Sequence, residues 1–203
     1  MKLPGCLVLL VIFLVWLHYK LKKSTPNDNS FWEREAEANS TRKKSLDDLH
    51  YITIPVNSLP FFYNFDKKLD EIQKKIMELS EKPIVNLTGL SNTDLKLKYG
   101  AGNLDILSEY DENYIELVRT VFEWANRFHE LGIDDDCISV LEFGIDHCQT
   151  DIYNHYMLLA NLYVESEQQH KIPDLINSAS MINSMNRDII INALNSLQPV
   201  EAE

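Results

Sequence analysis

From Asp111 onward, apolar residues return every three or four positions, the period of an α-helix with one buried face. Ile115, Val118, Phe122, Ala125 and Phe128 mark a helix from Asp111, as its cap, to about Leu131, which Gly132 ends. Asp134 opens a second helix reaching about His147, with Ile138, Leu141 and Ile145 inward. Asp151 caps a third that carries Tyr156, Leu159, Ala160 and Tyr163. Pro173 suits the first turn of a fourth, whose inward residues are Leu175, Ile176, Ala179 and Ile182. The stretch "NRDIIINALNSL" supplies a fifth, with Ile190, Ala193, Leu194 and Leu197.

Upstream the pattern changes. Pro55 and Pro60 exclude a helix from "YITIPVNSLPFFYNF", which reads as extended. In "FDKKLDEIQKKIMELSEKP" the residues Phe65, Leu69, Ile72, Ile76 and Leu79 step 4-3-4-3 until Pro83 stops the helix. Only about two heptads are present, so an amphipathic helix within its own domain is predicted, a dimer seam being the alternative. Ile84 to Asp111 is punctuated by Gly89, Gly100 and Gly102, with Asn92 as the cap of a short helix. This segment reads as a functional loop or as a brace along the helices. "YGAGN" lacks both the Gly-Lys-Ser/Thr ending and the preceding strand of a phosphate loop.

At the other end, Leu3 to Leu17 is an unbroken run of fifteen apolar or small residues. Extended through Leu21 it measures roughly 28 Å, close to a bilayer's hydrocarbon thickness of ~30 Å. No Ala-x-Ala-like cleavage pattern follows, so an uncleaved anchor at residues 3–21, touching the lipid bilayer, is predicted. Lys2 stands alone before the run, whereas Lys20, Lys22 and Lys23 follow it, which predicts a cell-membrane protein with a cytoplasmic C-terminal domain. The organisation expected is therefore an anchor over 1–23, a flexible tether over 24–50, a bracing region over 51–110 and a helical domain over 111–203.

The first four of those five helices form two comparable pairs at an offset of thirty-five. Trp124, Ala125 and Phe128 fall on Leu159, Ala160 and Tyr163, and Gly144 falls on Ala179. This resembles the tetratricopeptide repeat, whose period is ~34. The resemblance implies that the small Ala125 and Ala160 admit the second helix of each pair, that Phe128 and Tyr163 fill the space beside them, and that Gly132 makes the turn. Glu167 stands where the second turn glycine belongs, and no proline closes either repeat. The fold class expected is mainly α, with a single N-terminal transmembrane helix and a TPR-like domain. The layout is also similar to uncharacterised single-span membrane proteins of low-GC Gram-positive bacteria.

Charge narrows the partners. The chain carries −12 overall, yet from Asp105 to His170 fifteen acidic residues face only Arg119 and Arg127. Such a surface repels phosphate backbones and disfavours nucleic acid. Cys137 and Cys148, eleven positions apart on one helix, are roughly 16 Å distant and beyond disulfide reach. "IDDDC" reads as helix-start acid rather than a calcium loop, and His147, Cys148 and His155 fit no zinc spacing. No nucleophile–base motif or cofactor loop stands out, so no enzyme, metal or cofactor is expected. Two functions remain: a platform that binds another protein or peptide through Tyr114, Arg119, Tyr153 and Tyr156, or a self-associating structural component, a homodimer joined by the helix over 62–82.

Overall fold

Asp66 shows how local sequence starts an element and ties it down. Its carboxylate accepts the Leu69 N–H at 2.9 Å, capping helix α3 (Lys67–Ser80), and also takes a two-pronged ion pair from Arg127 at 2.9 and 2.7 Å. Those contacts, led by the guanidinium, hold the Asp66 carboxyl down to about 2. The computed structural model describes residues 5–24 and 28–197; Lys2 and Leu3 of the expected anchor, and the chain beyond 197, lie outside the described residues. Apart from one isolated antiparallel bridge, Tyr51 to Val85, the described residues carry helices, turns and irregular chain.

Two units are distinguished. The first comprises residues 1–45 and 91–104, the second 46–90 and 105–203. In the first, α1 (Gly5–Ser24), α2 (Asp28–Ser40) and the short α4 (Asn92–Tyr99) are the helices. Residues 28–40 of the tether segment are thus helical, and α2 packs on α4. Glu35 accepts hydrogen bonds from Lys96 Nζ and Thr93 Oγ1, both at 2.6 Å, around the buried Ala38, Leu95 and Tyr99. Ser91 rather than Asn92 caps α4, through a reciprocal capping box with Asp94. Gly100 has φ +93° and lies against the Arg42 carbonyl, where any side chain would collide, so the turn after α4 requires glycine.

The second unit holds the core. Helix α5 (Leu104–Glu130) belongs to it from Asp105 onward and is followed by α6 (Asp134–Glu142), a π-turn at Phe143–His147, α7 (Tyr153–Glu165), α8 (Ile172–Ser180) and α9 (Arg187–Asn195). Helix α5 begins seven residues before Asp111, because no glycine or proline interrupts the apolar series Leu107, Tyr114, Leu117, Val121, Trp124 and Phe128. Asp111 instead accepts the Leu87 N–H at 3.3 Å. Trp124, Ala125, Phe128, Gly144, Leu159, Ala160, Tyr163 and Ala179 are all buried, and Gly132 ends α5 at φ +72°. Gly144 sits in the π-turn, with Val121 and His155 so near that a methyl there would force them apart.

The aromatic extended segment lies along this core. The Phe61 ring stands 4.8 Å from Trp124 and the Phe62 ring 5.6 Å from Phe128, and the buried Gln73 amide exchanges hydrogen bonds with both backbone groups of Phe62. Leu69, Ile72, Ile76 and Leu79 of α3 are buried in the same cluster. The 4-3-4-3 seam is therefore consumed inside the unit, and only Phe65 of that series is exposed.

The N-terminus requires a correction. Among the described residues no helix is long and apolar enough to cross a membrane, which overturns the expected transmembrane helix and, with it, the single-pass cell-membrane location. The physical reason lies in length and flank. The fully apolar run covers fifteen residues, roughly 22 Å against ~30 Å, and the turns that would complete it carry His18, Lys20, Lys22 and Lys23. In the structure, Leu9 through Trp16 of α1 are each at least half exposed, and Lys20 lies 5.6 Å from the Trp16 ring.

Candidate partner-binding surface

The four residues proposed from sequence as contacts do not form one site. Tyr114 is buried, its hydroxyl donating to the Gln149 carbonyl at 3.3 Å and accepting from Asn86 Nδ2 at 3.0 Å. Tyr156 is also buried, its hydroxyl donating to the Thr150 carbonyl at 3.1 Å. Burial pushes both phenols above their ordinary range, so they stay neutral. Both are core residues because they complete the apolar faces of α5 and α7. Arg119 and Tyr153, by contrast, are exposed, and Arg119 pairs with Glu116 one turn away, at 3.6 Å.

What the fold does assemble is charge. The second unit contains 26 acidic against nine basic residues, whereas the first contains ten basic against five acidic. Along α5 the acids fall in register: Asp105, Glu109, Glu112, Glu116 and Glu123 step 4-3-4-7, which keeps them on one face. All but the half-buried Glu116 are exposed, and the stripe runs roughly 27 Å along the helix. Beside it Ile115 is 46% exposed. Asp134, Asp135 and Asp136 add three more carboxylates at the start of α6, where the helix dipole favours them.

No family model matches this chain, and neither a curated protein nor a solved structure matches it. The surface must therefore be read from its own chemistry.

Around a cleft of about 710 Å³ in this unit stand His50, Thr53, Asn86, Thr88, His147, Gln149, Met181 and Asn183. Neither lysine nor arginine is among its lining residues. Among the described residues no three His, Cys, Asp or Glu side chains come together as a metal site. Cys148 borders this cleft but is buried, and burial pushes its thiol, like that of Cys137, up to about 12, leaving neither as a nucleophile. Asn86 spends its amide N–H groups on Tyr114 and on the Cys148 and Gln149 carbonyls.

Sequence reasoning missed three strongly exposed aliphatic side chains of the unit. Met181 is 79%, Met185 95% and Ile189 59% exposed. Their spacing of four was visible in "SMINSMNRDIIIN", but it runs opposite to Ile182 and Ile190, which take the inward positions.

Proposed function

We propose that the second unit is a protein-interaction module, its helical hairpins stacked in the manner of a tetratricopeptide repeat, that receives a basic, amphipathic segment of another protein. The observation that carries this reading is the exposed carboxylate stripe of α5 within a unit of 26 acidic and nine basic residues. A stripe of one sign steers oppositely charged segments and discriminates against acidic ones. The burial of Leu69, Ile72, Ile76 and Leu79 inside the unit, which takes the α3 seam away from a second copy, favours this reading over self-association.

Titration of the full chain with two short synthetic helical peptides, one of leucine and lysine and one of leucine and glutamate, tests it by calorimetry. The lysine peptide is expected to bind, with an affinity falling roughly tenfold or more between about 50 and 500 mM salt. Equal binding of both peptides, or an affinity indifferent to salt, would overturn it.

A further inference from the structure

We infer that the connection between α8 and α9 is the place where the apolar face of that basic segment docks, an assignment that rests on the reading above. Met181 and Met185 project from this connection and Ile189 from the first turn of α9, while Ile182 and Ile190 are buried and anchor it. The two methionines form an apolar ridge, each beside a depression. Met181 lines the cleft of about 710 Å³, Met185 lines a second of about 580 Å³, and Asn183 lines both.

The ridge is held in place by backbone contacts. Gly89, at φ +84°, approaches Asn183 so closely that a side chain there would strike the Asn183 carbonyl. Asn186 Nδ2 donates to the Asp151 carbonyl at 3.2 Å. Exposed methionines on a fixed backbone suit a docking face, because an unbranched thioether side chain re-packs against varied apolar partners without backbone movement. Isolated exposed apolar residues are ordinary on protein surfaces, but Met181 and Met185 each border a concavity, and Asn183, which lies between them in the chain, lines both.

Charge complementarity specifies the occupant. Two carboxylate residues stand beside the connection: Asp146 accepts from Ser178 Oγ at 3.2 Å, and Asp151 holds Asn186 through its carbonyl. Neither lysine nor arginine lines the larger cleft, and Arg187 at the smaller one is engaged by Asp188 at 3.0 Å. Around them lies a unit with nearly three acidic residues for each basic one. An amphipathic helix fits, with its apolar side on Met181, Met185 and Ile189 and flanking lysines or arginines reaching the surrounding carboxylates.

The test is a titration of the full chain, with its methionine methyl groups labelled with carbon-13, by the leucine–lysine peptide, followed by NMR. The Met181 and Met185 signals are expected to shift on binding, while that of Met77, exposed on α3, stays in place. The double variant Met181→Ser with Met185→Ser, altering only exposed side chains, is expected to weaken binding about tenfold. Binding that leaves both methionine signals and the double variant's affinity unchanged would overturn this assignment while sparing the reading on which it rests. Absence of any peptide binding would overturn both.

Discussion

Replacement of Trp124 by alanine is expected to cost the second unit about 3–5 kcal/mol, enough to unfold a marginally stable domain at ordinary temperature. Trp124 is fully buried, with its ring 4.8 Å from Phe61 and 5.9 Å from Phe128. Truncation would open a cavity where the aromatic extended segment meets α5. Its indole N–H, however, has no hydrogen-bond partner among the described residues. Trp124→Phe therefore removes an unpaired donor along with some volume and should cost much less than alanine. Denaturant unfolding of the two variants checks the ordering. A phenylalanine variant as damaged as the alanine one would show that the indole nitrogen has a stabilising role.

The second large effect is a loss of stability in mild acid caused by one histidine. His155 is completely buried, its ring 5.1 Å from that of Phe122, and neither ring nitrogen meets a hydrogen-bond partner among the described residues. Burial lowers its pKa from 6.5 to about 4; the Val118 carbonyl, outside hydrogen-bonding geometry, and the Asp151 charge pull weakly the other way. The sign follows from which state takes the proton first. Above pH 6.5 the ring is neutral folded or unfolded. Between 6.5 and about 4 only the unfolded chain binds the proton, so stability declines by about 3 kcal/mol across that window.

Other groups act elsewhere or oppositely. Asp66, held down to about 2 chiefly by Arg127, loses its contribution only as pH falls from 3.8 towards 2. Asp111 and Asp136, raised by burial, gain stability on protonation and oppose the histidine. Chemical unfolding at a series of pH values should show the decline, and His155→Leu should flatten it. A leucine variant retaining the full acid sensitivity would remove His155 as the cause.

The helical hairpins were legible because their apolar residues repeat at 3.6 and because Gly132 and Pro173 punctuate them. Boundaries were read less well. Asp111 has the side chain of a cap, yet the apolar series passes through it unbroken, so tertiary packing extended α5 back to Leu104. The contact residues were misjudged for a related reason. With few large side chains in the small hairpins, Tyr114 and Tyr156 are needed as core, and their hydroxyls are satisfied by the Gln149 and Thr150 carbonyls. Which aromatic faces inward depends on neighbours distant in sequence, and periodicity cannot report those. The N-terminal run misled through its composition, since its apolar part is shorter than the bilayer it was read as crossing.

The central claim, that the acidic second unit receives basic protein segments, is tested most directly by in-cell photo-crosslinking. A photoreactive side chain placed at the exposed Glu112 of the α5 stripe would capture the segment lying there, and mass spectrometry would read its sequence. The account predicts segments rich in lysine and arginine with apolar residues at helical spacing. Captured segments that are acidic, or nucleic acid in their place, would contradict it.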